Sequence, residues 1–282
     1  MASLRRVPLV VTHSGADIRA LLDRHGLAAR KALGQNFVVD PNTVRKIASL
    51  SGVGEGDRVV EIGPGLGSLT LALVEVGARV TAVEMDDELV PVLREVVEGH
   101  HVEIVEGDAQ QVDWDEVLAE ADGWSLVANL PYNVATPLIL DLLRDVPKIE
   151  SMLVMVQLEV AERLAARPGD SAIGIPSVLV AFHGTAEIVG RVPPTVFHPR
   201  PRVDSALVRI ARHQQPPIGA ALSDIEPLVR AAYNQRRKMI RRSLGGLLDE
   251  STIVEAGVDP TARPETLTLD DWGRLAAARS DA

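Results

Sequence analysis

A short apolar stretch that leads into alternating glycines constrains the fold of this chain more than any other segment. Residues 59–67 read Val-Val-Glu-Ile-Gly-Pro-Gly-Leu-Gly, and a helical pattern follows. A strand, a glycine turn and a helix in this order are typical of a nucleotide-binding βα unit, in which glycine lets the backbone approach a ligand closely. Glycine turns also serve purely structural roles, so the turn alone leaves ligand binding open.

Two details of this turn change the expected ligand. The spacing is G-x-G-x-G, whereas dinucleotide-binding enzymes have G-x-G-x-x-G, and Glu61 stands two residues before the first glycine. A carboxylate there would repel a pyrophosphate, but it could organise the loop or face a cationic amino group. S-adenosylmethionine carries an ammonium and a sulfonium and no phosphate, so it suits this turn better.

The composition favours a folded protein of a reducing compartment. Hydrophobic residues make up 46% of the 282 residues and charged residues 24%, which excludes a disordered chain. The absence of cysteine excludes disulfides and thiolate metal sites. No apolar run approaches the roughly 20 residues of a membrane span, and residues 1–12 do not resemble a signal peptide. We therefore expect a cytoplasmic protein with no membrane partner, and no ligand spacing predicts a metal site.

The charges are distributed unevenly along a chain whose net charge is −10. Residues 51–130 contain 18 Asp and Glu against 3 Lys and Arg, whereas residues 191–242 contain 11 Lys and Arg against 3 Asp and Glu. The basic segment could be a solvated helix face. The alternative is a surface for nucleic acid, because clustered cations bind a phosphate backbone locally.

Acidic residues mark the ends of three successive predicted strands. Glu61 lies near the end of the first, Glu84 ends the second, and Asp108 follows the third. Ligands bind at the carboxyl ends of the strands in a parallel sheet. Glu84 is 21 residues beyond Gly63, where a βαβ unit brings a carboxylate to a ribose. Asp108 could accept a hydrogen bond from an adenine amino group.

A fourth predicted strand leads to Asn129-Leu130-Pro131-Tyr132. The exocyclic amine of a base is a poor nucleophile, because its lone pair is delocalised into the ring. The Asn129 side-chain oxygen and the carbonyl of Leu130 or Pro131 could accept its two N–H bonds and aim the lone pair at a methyl donor. Tyr132 offers a face on which the base could stack. Without the preceding motifs, this tetrapeptide would indicate only a turn.

Four motifs together resemble the ribosomal RNA adenine N6-dimethyltransferases, over about residues 25–275. They are Gly-Gln-Asn-Phe at 34–37, Glu-x-Gly-x-Gly-x-Gly at 61–67, Gly-Asp-Ala at 107–109 and Asn-Leu-Pro-Tyr at 129–132. The resemblance implies S-adenosylmethionine as cofactor, S-adenosylhomocysteine as product, and no metal. It implies dimethylation of two adjacent adenosines in a hairpin loop near the 3′ end of 16S ribosomal RNA, on the pre-30S particle, as a step of small-subunit biogenesis.

The resemblance also assigns roles to individual residues. Those expected to bind the cofactor are Asn36, Val38, Gly63, Gly65, Glu84, Asp108, Ala109 and Asn129. Those expected to position the adenine are Asn129, Leu130, Pro131, Tyr132 and Phe197. Phe197 lies in a proline-rich segment that we expect to be an extended loop, with the ring exposed for stacking on a flipped base. The alternative is an aromatic side chain that packs the loop against the protein.

Cations in two segments are expected to bind RNA: Arg200, Arg202, Arg236, Arg237, Lys238, Arg241 and Arg242. The last five are predicted on a helical stretch, and the sequence around them resembles the small-subunit type of the family. A large-subunit adenine methyltransferase of the macrolide-resistance type would share every catalytic motif and is one alternative. A non-catalytic assembly or transcription factor on the same fold and a small-molecule methyltransferase are the others.

The strand pattern and the resemblance together predict an α/β chain. A Rossmann-like S-adenosylmethionine-dependent methyltransferase domain, with a mostly parallel seven-stranded sheet and one antiparallel strand, would occupy residues 1–213. The Gln-Gln-Pro-Pro segment at 214–217 interrupts the pattern, so residues 214–282 are predicted to form a small all-helical, RNA-binding domain. A capping box at residues 223–226 would begin its first helix. We expect a monomer.

Overall fold

The computed structural model describes residues 12–118 and 122–280. Residues 1–12 do not resemble a signal peptide in sequence, and of this segment only Thr12 lies within the described residues. The described chain forms two compact units. The first runs to Leu158 and also includes Ile188–Arg209, and the second consists of Glu159–Glu187 and the described residues from Ile210 onward.

The strands of the described chain form two sheets. They are β1 (Phe37–Val38), β2 (Arg58–Ile62), β3 (Arg79–Glu84), β4 (Val102–Glu106), β5 (Trp124–Asn129), β6 (Ile149–Gln157), β7 (Gly184–Val192), β8 (Phe197–His198) and β9 (Ser205–Arg212). β1 and β8 pair in an antiparallel two-stranded sheet. The other seven form one sheet in the order β4-β3-β2-β5-β6-β9-β7. This sheet is mostly parallel with one antiparallel strand, which confirms the predicted fold class.

The helices of the described chain alternate with the strands and then continue alone toward the C-terminus. They are α1 (Gly15–His25), α2 (Pro41–Ser51), α3 (Ser68–Glu75), α4 (Val90–Val96), α5 (Trp114–Val117), α6 (Ala135–Asp145), α7 (Leu158–Leu164), α8 (Ile175–His183), α9 (Leu222–Asn234), α10 (Ile240–Ser243), α11 (Glu250–Glu255) and α12 (Leu269–Ser280). None of these helices is long and apolar enough to cross a membrane.

The start of α2 illustrates how local sequence determines an element. The Asp40 side chain caps the helix by accepting a hydrogen bond from the Thr43 N–H at 3.0 Å, and Pro41 occupies the first helical position. Val44 and Ile47 lie one turn apart on the face toward the core and are fully buried. Burial of each side chain contributes about 2 kcal/mol to the stability of the folded state.

Parallel pairing aligns the carboxyl ends of the central strands. β2 pairs in parallel with β3 and with β5, and β3 pairs in parallel with β4. In this register Ile62 lies opposite Val83, and Glu84 lies opposite Glu106. The glycine turn, Glu84, Asp108 and the motif after β5 therefore meet at one edge of the sheet.

The second unit has its own apolar core, which extends beyond the predicted C-terminal domain. Val178 of α8 packs in the same buried cluster as Ile225 of α9 and Trp272 of α12. The sequence boundary at 213/214 assigns α7 and α8 to the first domain, whereas the contacts group them with the C-terminal helices. An apolar helix between two strands carries no local signal of which core it joins.

Three local predictions are wrong. Ala221 is the N-cap of α9 and no side chain caps it, so Ser223 lies inside the helix and forms no capping box. The acids at 86–88 predict a helix that opens at Met85, but α4 begins at Val90. Residues 236–238 form a turn between α9 and α10 and not part of a continuous helix. In each case polar or charged residues indicated a helix boundary or a continuous helix that the backbone does not follow: α9 begins earlier, α4 begins later, and the helix predicted across residues 236–238 is interrupted.

Candidate active site

A cleft at the carboxyl edge of the sheet, within the first unit, encloses about 1000 Å³ of empty space that is partly open to solvent. Every residue predicted to bind the cofactor or position the adenine, except Phe197, lines it: Asn36, Val38, Gly63, Gly65, Glu84, Asp108, Ala109, Asn129, Leu130, Pro131 and Tyr132. The fold thus brings residues from four sequence motifs into one site.

The glycine turn has a backbone shape that other residues adopt with difficulty. Gly63, Gly65 and Gly67 have φ of 68°, 57° and 78°. A Cβ on Gly65 would lie 2.9 Å from Cε1 of Phe37, so that ring packs directly on the turn. The Gly63 N–H donates to the Val83 carbonyl at 2.9 Å, which fixes the turn to β3. These contacts account for the need for glycine at this turn.

Glu61 is buried behind the turn, with 1% of its surface exposed. Its Oε2 accepts a hydrogen bond from the Thr70 hydroxyl at 2.6 Å, which links β2 to α3. Burial, with a smaller effect of the charge of Glu84, raises the pKa of Glu61 to about 8, although the Thr70 bond opposes this. The carboxyl is therefore mainly protonated near neutral pH when no cation faces it. The Thr70 bond supports the loop-organising role.

Glu84 lies at the end of β3 and holds the glycine turn in place. Its Oε2 accepts from the Gly65 N–H at 2.9 Å, and its Oε1 accepts from the Asp86 N–H at 2.9 Å. Burial raises the pKa of Glu84, and these backbone hydrogen bonds lower it. Each carboxylate oxygen can accept a further hydrogen bond. The group therefore fits the vicinal hydroxyls of a ribose.

Asp108 and Ala109 occupy the turn after β4. The Asp108 carboxylate accepts from the Gln110 N–H at 2.9 Å and from Nε2 of Gln111 at 3.2 Å, so its orientation is fixed. The Ala109 carbonyl accepts from Nε1 of Trp114 at 3.1 Å. Although acids are frequent at this edge of the sheet, the described residues contain no group of three or more His, Cys, Asp or Glu arranged to hold a metal ion.

The Asn129 amide is oriented by the N-terminal part of the chain. Its Nδ2 donates to the Asn36 carbonyl at 3.0 Å, which leaves Oδ1 as an acceptor without a hydrogen bond among the described residues. The Pro131 carbonyl already accepts from the Val134 N–H at 3.2 Å. Of the two carbonyls that the sequence left open, the structure therefore favours Leu130 as the second acceptor for an amine.

Tyr132 is half-buried and anchored at its hydroxyl. The hydroxyl lies 2.6 Å from Oγ of Ser205, which is fully buried in β9. Burial raises the pKa of Tyr132, and the Ser205 bond opposes this rise. The neighbouring Leu130 N–H donates to the Met155 carbonyl at 3.1 Å. Both ends of the motif are thus fixed to adjacent strands, which limits how far the ring can move.

The prediction that Phe197 is exposed is wrong. Only 4% of its surface is exposed, and its side chain lies in the core cluster with Val44 and Met155. The proline-rich segment forms a short 3₁₀ turn at Pro194–Val196 and then β8, in which Phe197 pairs with Val38 of β1. This pairing turns the ring inward, so the structure supports the alternative of an aromatic side chain that packs the segment down.

Sequence reasoning missed the contacts that hold the segment 30–38, which we call the N-terminal strap, at the cleft. Asp86 accepts from Nη1 of Arg30 at 3.0 Å and from Nε2 of Gln35 at 2.6 Å. In the sequence, Asp86 stands among other acids at a predicted helix start. Acids there are favoured by the positive end of the helix dipole, so the sequence indicates no other role for Asp86. Its burial, with 3% of its surface exposed, sets it apart from Asp87 and Glu88.

The seven cations predicted to bind RNA differ in their local contacts. Nη1 of Arg241 pairs with Glu250 at 3.0 Å, and Nη2 of Arg236 donates to the Ser171 carbonyl at 2.9 Å. The others are exposed and make no ion pair within the described ranges: Arg200, Arg202, Arg237, Lys238 and Arg242. These five are the cations that a phosphate could reach without displacing a partner.

Comparisons with known proteins identify the family to which this chain is similar. The model of the family described as ribosomal RNA adenine dimethylase matches residues 26–278. The ribosomal RNA small subunit methyltransferase A of Cutibacterium acnes is 46% identical over 283 residues, covering 95% of this chain and 94% of that protein. The protein of the same name from Thermobifida fusca is 46% identical over 275 residues, covering 94% and 95%.

Two solved structures share the fold over most of the chain. The 23S rRNA methyltransferase ErmE is 29% identical, with a TM-score of 0.68, and the match covers 86% of this chain and 99% of that one. A dimethyladenosine transferase from Plasmodium falciparum has a TM-score of 0.69 at 24% identity, covering 84% of this chain and 94% of that one. The second likeness concerns the fold alone.

Proposed function

This chain belongs to the ribosomal RNA adenine dimethylase family, and from this we propose that it dimethylates N6 of two adjacent adenosines in a hairpin loop near the 3′ end of 16S ribosomal RNA. The methyl donor is S-adenosylmethionine. The observation that carries the proposal is the oriented Asn129 amide, which lines the cleft and whose Oδ1 has no hydrogen-bond partner among the described residues.

The residues at the strand ends would hold the cofactor by its separate parts. Glu84 would accept from the ribose hydroxyls while it keeps its bonds to Gly65 and Asp86. Asp108 would accept from the adenine amino group. S-adenosylmethionine supplies an activated methyl group on a sulfonium. The residues at the carboxyl edge of the sheet would then only have to bind the cofactor and hold it in one orientation.

The Asn-Leu-Pro-Tyr motif would prepare the amine of the target adenosine. In the first transfer Asn129 Oδ1 and the Leu130 carbonyl would each accept one N–H bond, and in the second one of them would accept the N–H that remains, which concentrates the nitrogen lone pair on the side facing the methyl donor. In each transfer S-adenosylhomocysteine would leave and water would take the proton lost from N6. Tyr132, anchored to Ser205, would stack on the base. Catalysis would come from positioning and from hydrogen bonds to the amine, without a metal and without a covalent intermediate.

The substrate type follows from the relatives and the basic residues. Relatives named for the small subunit are 46% identical, whereas the 23S rRNA methyltransferase is 29% identical. We therefore favour small-subunit RNA, on the pre-30S particle and in the cytoplasm, over a large-subunit substrate. The five exposed cations would bind its phosphates. We propose that the enzyme acts as a monomer.

The test is methyl transfer by the purified protein to 16S ribosomal RNA in pre-30S particles and to 23S ribosomal RNA, with mass mapping of the products. Two dimethylated adenosines in 16S RNA are expected, and none in 23S RNA. Asn129→Ala should lower kcat by about 100-fold, the loss typical of a removed transition-state hydrogen bond. Full turnover by Asn129→Ala would refute the role proposed for Asn129. Intact cellular function of Asn129→Ala despite lost methyl transfer would favour the non-catalytic alternative, and methylation of 23S RNA alone would favour the large-subunit type.

A further inference from the structure

The N-terminal strap, residues 30–38, lies beside both the proposed cofactor site and the motif at residues 129–132. Six of its nine residues, 33–38, line the cleft. Its last two residues form β1, which pairs with β8. The rest has little regular structure apart from a 3₁₀ turn at Lys31–Leu33. Side-chain contacts must therefore fix the first part of the strap.

Asp86 provides those contacts through a buried carboxylate. Its Oδ1 accepts from Nη1 of Arg30 at 3.0 Å, and its Oδ2 accepts from Nε2 of Gln35 at 2.6 Å. The Glu88 N–H donates to Oδ1 at 3.1 Å, and Arg30 also pairs with the Glu88 carboxylate. Hydrogen bonds to a charged group are roughly twice as strong as neutral ones. Asp86 thus ties two strap residues to the turn after β3.

The backbone N–H of Asp86 contacts Glu84, the residue that is proposed to bind the ribose of the cofactor. This N–H donates to Oε1 of Glu84 at 2.9 Å, while the Gly65 N–H donates to the other oxygen. A shift of Asp86 would therefore change the orientation of the carboxylate that is proposed to bind the ribose. The same residue contacts the strap with its side chain and Glu84 with its backbone.

The far end of the strap reaches the catalytic motif. The Asn36 carbonyl accepts the hydrogen bond from Asn129 that orients its amide. Gly34 passes so close to the motif that a Cβ on it would lie 3.0 Å from Oδ1 of Asn133 and 3.3 Å from Cβ of Pro131. The strap therefore connects the Asp86 anchor to the group that faces the target amine.

We infer that Asp86 is a positioning residue for both cofactor binding and methyl transfer: through Arg30 and Gln35 it holds the strap where Asn36 orients Asn129. This inference rests on the proposed function. Asp86 does not line the cleft and is not expected to touch the cofactor or the adenosine; it acts on Asn129 through the strap and on Glu84 through its backbone N–H.

Asp86→Asn tests the inference, with Asp87→Asn as the matched control because Asp87 is the adjacent, exposed acid. We expect Asp86→Asn to weaken S-adenosylmethionine binding by about tenfold in calorimetry, the loss typical of one hydrogen bond to a charged group. We also expect it to lower kcat on 16S RNA with an unchanged KM for the RNA. Asp87→Asn should leave the cofactor affinity, the kcat and the KM for RNA within about twofold of the values of the unaltered protein.

Gln35→Ala removes the bond to Asp86 and also the bond that the Arg30 N–H donates to Gln35 Oε1 at 2.8 Å. Arg30 and the Glu88 N–H still pair the buried carboxylate, so this variant keeps the test valid if Asp86→Asn folds poorly. It should also weaken cofactor binding and lower kcat, and the part of its effect that passes through Asp86 should disappear in the Asp86→Asn background. A lower active fraction with unchanged cofactor affinity would indicate a purely structural role and overturn the inference. So would equal losses in Asp86→Asn and Asp87→Asn. Failure of the unaltered protein to bind S-adenosylmethionine would instead overturn the proposed function.

Discussion

Replacing Glu61 by Gln tests whether the buried acid of the glycine turn is protonated at neutral pH. Burial raises its pKa from 4.5 to about 8. The folded chain then retains a proton that the unfolded chain loses as the pH rises above 4.5, so the free energy of unfolding falls with rising pH until about pH 8 and levels off above it. Each pH unit is worth about 1.4 kcal/mol, which gives about 5 kcal/mol over the whole window.

Gln resembles the protonated carboxyl in shape and can still accept from the Thr70 hydroxyl, but it cannot ionise. Urea unfolding without cofactor at pH 5.5 and at pH 8 measures the difference. We expect the unaltered protein to lose about 3 kcal/mol more than Glu61→Gln between these two values. Glu103→Gln, at an exposed position on β4, should follow the unaltered protein. If Glu61→Gln and the unaltered protein differ in free energy of unfolding by the same amount at pH 5.5 and pH 8, Glu61 is ionised in the folded protein at both values. That result would refute the reasoning.

Two further predictions concern the core and the RNA-binding cations. Phe197→Ala should lower the free energy of unfolding by about 3–5 kcal/mol in urea, because the ring is buried in the core; normal stability with lost turnover would restore its stacking role. Changing Arg237, Lys238 and Arg242 to Gln should weaken RNA binding and reduce the slope of log K against log salt by about 2–3. Arg230→Gln, which removes a cation already paired within α9, should leave that slope unchanged.

The sequence predicted which residues meet in the cleft where each candidate residue lies at the end of a strand. Glu84, Asp108 and Asn129 lie at or just beyond the ends of β3, β4 and β5, and parallel pairing brings such ends together whatever the details of packing. Glu61 likewise lies near the end of β2, so the glycine turn that follows it was also predicted at this edge. Prediction succeeded here because strand order and spacing alone determine which residues meet.

Prediction failed where orientation depends on tertiary contacts. The inward turn of Phe197 follows from the pairing of β8 with β1, two strands of two residues each that carry almost no periodic signal. The buried side chain of Asp86 is indistinguishable in sequence from its exposed neighbour Asp87. The grouping of α8 with the C-terminal helices depends on which core accepts Val178. None of these features is encoded in local spacing.

The acidic total charge and the RNA substrate are compatible because of the range over which charges act. At 0.15 M salt the Debye length is about 8 Å, so any of the 18 acids within residues 51–130 that lies farther than this from an exposed cation has little effect on a phosphate bound there. At 0.01 M salt the length is about 30 Å, and those acids would repel the same phosphate. A plot of log affinity against log salt should therefore be linear above about 0.1 M and flatten at lower salt. A plot that stays linear down to 0.01 M would mean that bound RNA does not sense the acidic part of the chain.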